Sequence, residues 1–309
     1  MSIPRDHHYL PQAYLERWTR NGKLFRYIRP RGPNGPLDCK QKSPKAVAYE
    51  RDLYRLRDVE DPRESQSLEL KFFQQIDDRG IQALRQLDSL ERGTGEQRVA
   101  LSQFMISLMH RSPSRLQSIR KELAERLGDA PEGVHDDPRF DGALSSTANR
   151  LLASLVGSPR GAEIVSRFKV FKVTAERARN RFLTSDRPIT VSSQLIARDA
   201  FMILPYGPDR IAILCHDEEI ARAFSSQDPD TLVHGINSAV VEQSKDVIIA
   251  SDRAEGAMIA RTFLRPRSDV VFDPVGLIRR KSPFTDLRPR VRTFSSRNKK
   301  AMLYLGRDP

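Results

Sequence analysis

The chain reads as an α+β protein in which a helical block packs against a mostly antiparallel sheet around one composite core. Two observations carry this reading. Apolar residues recur at helical spacing between about residues 68 and 127, whereas beyond residue 168 they gather into short runs rich in Val, Ile and Phe, as strands require. A third bears on class: over 309 residues, 39% are hydrophobic and 30% charged, which is a globular balance with an ion-rich surface.

Taken in order, His8-Tyr9-Leu10-Pro11 leads into a short helix, because Pro11 suits a first helical turn and Tyr14, Leu15 and Trp18 repeat at helical spacing. Asn21-Gly22 marks a tight turn, and residues 23–28 read as a strand that stops in a Pro/Gly-rich stretch, leaving residues 30–45 as loop. Leu68, Phe72, Ile76, Leu84 and Leu87 mark one apolar helical face; Val99 to Met109 form a second helix that Pro113 should kink or restart. Helical character continues from Arg115 to Leu127, and Gly128 to Gly142 reads as a turn-rich break. Residues 168–173, 201–204, 210–214 and 247–250 read as strands, with a helix between Asp228 and Gln243. Residues 1–260 are expected to form the core domain. Residues 261–309, rich in Arg and Pro, are expected to form a basic C-terminal extension that supplies affinity and no chemistry.

The net charge is +12, and its distribution is uneven. Residues 1–57 carry 13 Lys/Arg against 5 Asp/Glu, residues 261–309 carry 13 against 4, and the middle carries 26 against 31. Basic ends around an acidic middle fold back on that middle or hold an external polyanion, so DNA or RNA is the expected partner. No run reaches the ~18 apolar residues of a membrane span and no secretory leader is evident, so a soluble, cytoplasmic protein is expected. Cys39 and Cys215 stand alone, which supports neither a disulfide framework nor a zinc site. The phosphate-binding glycine loops of nucleotide enzymes are missing, so no nucleotide cofactor is expected.

His8 is the first candidate for chemistry. It precedes Pro11 and so stands at the mouth of the expected helix, where unpaired N–H groups attract anions. The plain alternative is a histidine that caps a helix or bonds buried backbone. Asp6-His7-His8 lacks the preceding apolar strand of the Asp-His-His phosphoesterases and is set aside. Carboxylates able to join His8 are Glu50, Asp52, Glu69, Asp77 and Asp186. Glu69 and Asp77, eight residues apart, lie roughly 12 Å along a straight helix and about 80° around it, so one ion could not be held by both directly. In Thr184-Ser-Asp-Arg-Pro188, Ser185 lacks a nucleophile elbow and is read as part of a turn.

These segments together resemble the bacterial family catalogued as domain of unknown function 4238. The resemblance rests on His8, Tyr9, Pro11, Tyr14 and Leu15 at the start, then Glu50 with Tyr54, Glu69 with Asp77, Arg111-Ser112-Pro113, Thr184 to Pro188, and Asn237 in a late helix. Asp77 stands where Glu is common, and Arg187 where Asn is. The resemblance spans about residues 7–252 and brings no activity with it; it implies that His8, Glu50, Glu69, Arg111 and Asp186 form one pocket. The expectation is a phosphodiester-directed hydrolase, a nuclease in kind. His8 would be the acid/base, Arg111 would stabilise phosphate charge, and Glu50, Glu69 and Asp186 would be acidic partners. Mg²⁺ or Mn²⁺ would be held by Glu69, Asp77 and Asp186, with Tyr9 and Asn237 supporting. The rival is a non-catalytic nucleic-acid- or partner-binding protein in which the same residues only fasten helices to strands.

Overall fold

The computed structural model describes residues 5–32, 34–90, 92–126, 138–192 and 199–263. The expected extension lies outside the described residues from 264 onward, and residues 261–263 finish the last helix and the turn after it.

Among the described residues β1 (Asp6–His8) comes first, followed by α1 (Gln12–Leu15) and a 3-10 turn (Glu16–Trp18). β2 (Leu24–Ile28) and β3 (Asp38–Lys42) form a hairpin, and β4 (Tyr49–Arg51) pairs antiparallel with β1. Two expectations change here. His8 sits on a strand rather than at a helix mouth, since β1 is held by β4 and Tyr9 N–H donates to Ala48 C=O at 3.0 Å. Residues 38–42, expected as loop, pair with β2; Asp-Cys-Lys-Gln-Lys is an edge strand held by backbone bonds and carries no apolar alternation to reveal it.

A π-helical turn (Leu68–Phe73) runs into α2 (Gln74–Asp88). Next come α3 (Gly95–His110), opened by a Thr94/Gln97 capping box, and α4 (Pro113–Arg126), which Pro113 restarts as expected. α5 (Pro138–Val156) and α6 (Pro159–Ser166) complete the block. The expected break at Gly128–Gly142 therefore ends by Pro138, where α5 begins; residues 127–137 lie outside the described residues.

The second half supplies β5 (Lys169–Thr174), β6 (Thr184–Ser185), β7 (Thr190–Val191), β8 (Phe201–Gly207) and β9 (Arg210–Cys215). α7 (Glu218–Ser225), α8 (Pro229–Gln243), β10 (Ile248–Ala250) and α9 (Gly256–Thr262) follow. The strands form two four-stranded antiparallel sheets, ordered β5-β9-β8-β7 and β3-β2-β10-β6. This is the expected α+β class.

Every residue of β8 is buried, and the two-residue period of the pleat explains how. Val170, Met202, Leu204, Ala212 and Leu214 join the core that contains Leu84, Leu101 and Phe104 of the helical block. Their neighbours Phe171, Val173, Ile203, Ile211 and Ile213 join the core against α7 and α8, with Phe224 and Ile236. The sheet thus lies between two helical layers. The N-terminal segment bonds to both sheets: Tyr14 Oη donates to the Pro205 carbonyl of β8 at 2.6 Å and lies 2.7 Å from Thr184 Oγ1 of β6, and Trp18 Nε1 donates to the Phe182 carbonyl just before β6 at 3.1 Å.

Helices α2 and α3 cross where Gly80 meets Phe104, and a Cβ built on Gly80 would overlap that ring. Gly80→Ala raises helix propensity by about 1 kcal/mol, yet overpacking costs typically 1–3 kcal/mol, so a net loss of stability is expected in urea unfolding. A gain in stability would show that the crossing is looser than described.

Candidate functional site

The site is built around one buried cation. Arg111 closes α3, and its side chain is fully buried. Its Nε donates to the Tyr9 carbonyl at 2.8 Å and its Nη1 to Asp77 Oδ1 at 2.8 Å, while the Phe73 ring lies 5.9 Å from the guanidinium carbon. The Arg111 carbonyl accepts the Tyr54 hydroxyl at 2.7 Å. Tyr54 N–H in turn donates to His7 Nδ1 at 3.0 Å, and the two rings stack at 5.7 Å. One residue therefore joins the end of α3, the start of α2 and the segment after β1.

Glu69 lies on the π turn, and its carboxylate accepts the backbone N–H of His8. Burial pushes its carboxyl up to about 7, against the opposing pull of Arg111. Asp77 is likewise raised to about 6, by burial, even though it pairs with Arg111. On a straight helix these two carboxylates would diverge by about 80°, as expected from sequence. A π turn accommodates one extra residue, roughly 100° of rotation, which brings the divergence to about 20°. Both carboxylates then face one cation, and that cation is Arg111.

His8 is half-buried on β1. Its imidazole donates to the Lys45 carbonyl and packs 5.4 Å from the Tyr49 ring. Desolvation lowers its pKa, helped by the charge of Arg111, so the neutral ring is favoured. Three polar atoms at this centre are buried without a hydrogen-bond partner: His8 Nε2, Glu69 Oε2 and Arg111 Nη2. Buried polar groups are ordinarily satisfied, so these three atoms are ones whose partners the fold itself does not supply.

The remaining expected residues divide. Tyr9 is nearly buried, and its hydroxyl is raised well above the usual phenol range by burial and then by Asp186, Asp246 and Glu50. Glu50 sits exposed on β4 opposite His7, at the rim. Asp186 is buried, and its Oδ1 accepts the N–H groups of Lys245, Asp246 and Val247, each at 3.2 Å. It clamps the entry to β10. Asp52 is held by Arg5 and Gln66, which keep its carboxyl down at about 2. Asn237 accepts Leu183 N–H at 2.8 Å and donates to the Arg181 carbonyl at 2.9 Å, fastening α8 to the start of β6. Ser185 Oγ accepts Arg187 N–H at 3.1 Å, the local bond a turn needs. Among the described residues, no group of three His, Cys, Asp or Glu side chains is arranged to hold a metal ion.

Residues 6–254 match the family described as "Protein of unknown function (DUF4238)". The chain belongs to that family. No curated protein and no solved structure matches it. The DUF4238 match runs from β1 to just past β10 and so contains the whole of the site. Sequence reasoning set aside His7 and gave Tyr54 no bond of its own; both act through backbone contacts, which side-chain spacing does not reveal.

Glu69 generates a pH dependence whose sign is fixed. Its folded pKa of about 7 exceeds an unfolded value of ~4.3, so its contribution to stability is full below ~4.3 and is lost as pH rises through about 7. Glu69→Gln removes that loss. Its melting temperature is expected to gain on the parent's progressively between pH 4.5 and 8. A constant difference across that range would mean that Glu69 titrates as an ordinary surface carboxyl.

Proposed function

We propose that this chain is a phosphodiester-directed hydrolase acting on DNA or RNA, with His8 as general base, Glu69 as general acid and Arg111 as the donor to a phosphate oxygen. The observation that supports this most is the coincidence of His8 Nε2, Glu69 Oε2 and Arg111 Nη2, all buried and unpartnered. They are an acceptor, a titratable oxygen and a cationic donor. A neutral His8 accepts the proton of an attacking water through Nε2. Arg111 Nη2 meets the charge that develops on the phosphoryl oxygen, where a buried donor acts in low dielectric. Glu69, protonated for about half of the population near pH 7, gives its proton to the leaving oxygen. The base works above its lowered pKa and the acid below about 7, so activity should peak on the acid side of neutrality.

Asp186 and Asn237 spend their polar atoms on the fold, and Glu50 contributes charge at the rim. In this reading the three are positioning and scaffold residues. A Mg²⁺ or Mn²⁺ ion, if used, would enter through Glu69 Oε2, because Asp77 Oδ1 is taken by Arg111 and Asp186 Oδ1 by backbone N–H groups. The basic composition suits a polyanion, and free Cys39 and Cys215 suit a reducing cytoplasm. No helix among the described residues is long and apolar enough to cross a membrane. One observation favours the rival binding role: Arg111 already spends two of its nitrogens on protein acceptors.

Hydrolysis of bis(p-nitrophenyl) phosphate and of a labelled oligonucleotide, with chelator and with Mg²⁺ or Mn²⁺, decides between them. The parent should turn over, and His8→Ala should lose about 10²–10⁴-fold, the scale of general acid–base catalysis. If oligonucleotide binds but is never cut, or if His8→Ala cuts as fast as the parent, the hydrolase reading fails.

A further inference from the structure

A concavity rimmed by cations lies at the turn that enters β2 and shares no residue with the His8 centre. The β2 strand is entered by a two-residue turn in which Asn21 and Gly22 have φ of 51° and 70°, the left-handed pair of a tight hairpin. Arg20 and Lys23 bracket that turn through reciprocal backbone bonds of 2.7 and 3.0 Å, so both cations stand at one end of the sheet. Phe25 on β2 pairs with Gln41 on β3 and with Ala250 on β10, and Ser251 to Arg253 follow directly. These residues line a cavity of about 490 Å³, within the range of small-molecule sites.

Three lining residues are cations, Asn21, Gln41 and Ser251 can both donate and accept, and Phe25 adds an apolar wall. Arg20, Lys23 and Arg253 are opposed by one carboxylate, Asp252. Both its oxygens are engaged, Oδ2 by Arg20 at 3.3 Å and Oδ1 by Ala254 N–H at 3.0 Å. Arg253 lies over the Phe25 ring, 5.1 Å from its centroid, which holds the guanidinium at the cavity wall. An independent observation points to a ligand: Ser251 is 2% exposed, lines the cavity, and its hydroxyl has no hydrogen-bond partner.

We propose that this cavity binds the phosphate group of a small phosphorylated ligand, with Arg253 and Lys23 supplying charge and the Ser251 hydroxyl a buried hydrogen bond. Phosphate satisfies several donors at once, and the volume leaves room for a nucleoside-sized body beside the exposed edge of Phe25.

Calorimetric titration of the full chain with inorganic phosphate, AMP, adenosine and an eight-residue oligonucleotide tests it. AMP or phosphate should bind the parent where adenosine does not. Affinity should fall at least tenfold in Arg253→Gln and severalfold in both Lys23→Gln and Ser251→Ala. Lys23→Gln is the control for folding, since Lys23 is exposed and its side chain is not packed. Three results overturn the proposal: no binding of either phosphate probe, equal binding by parent and variants, or binding of the oligonucleotide alone.

Discussion

The burial of Arg111 constrains everything around it. A guanidinium withdrawn fully from water is tolerated only if its charge is opposed and its N–H groups are bonded, since an unpaired ion in the interior costs several kcal/mol. Asp77 and the Tyr9 carbonyl meet two of its nitrogens, and Glu69 adds a second carboxyl nearby. Meeting that demand fixes the strand-to-helix entry at Tyr9, the phase of the helix carrying Glu69 and Asp77, and the angle at which α3 gives way to α4. The π turn belongs to the same demand, because a regular helix would turn Glu69 away. What is left over after these bonds is one nitrogen of Arg111, one oxygen of Glu69 and one nitrogen of His8, each buried and without a hydrogen-bond partner.

The rest of the fold holds these parts still. The sheet of β5, β9, β8 and β7 is apolar on both faces, so neither helical layer can shift without breaking packing on the other. Tyr14 ties the first helix to that sheet through the Pro205 carbonyl, Trp18 bonds the Phe182 carbonyl just before β6, and β1 is thereby anchored beside α2 and α3. Asp186 and Asn237 perform the same service on the far side, bonding backbone groups that would otherwise be buried without partners. Polar residues that read from sequence as one constellation thus divide into the cluster around Arg111 and a frame that bonds backbone groups.

Much of this was legible. The strands 169–174, 201–207 and 210–215 announce themselves by Val, Ile and Phe, and Pro113 by its fixed φ and missing N–H. The resemblance singled out His8, Glu69 and Arg111, and the fold brings these three together around the buried guanidinium. What stayed hidden depends on backbone partners. β3 is polar and paired at an edge, β1 is three residues long with charged and imidazole side chains, and a π turn has no signature in side-chain spacing. Asp186 could be singled out as polar and turn-forming, but the three N–H groups it collects from residues 245–247 lie some sixty positions away.

The centrality of the Arg111–Asp77 pair is most directly tested by a double-mutant cycle in urea, with Arg111→Met, Asp77→Leu and the two combined. If the buried pair organises the centre, each single change strands a charge and should cost about 3–5 kcal/mol, whereas the apolar double should recover much of that loss. Costs that simply add, or a harmless Arg111→Met, would contradict the account and leave Arg111 as one more buried side chain.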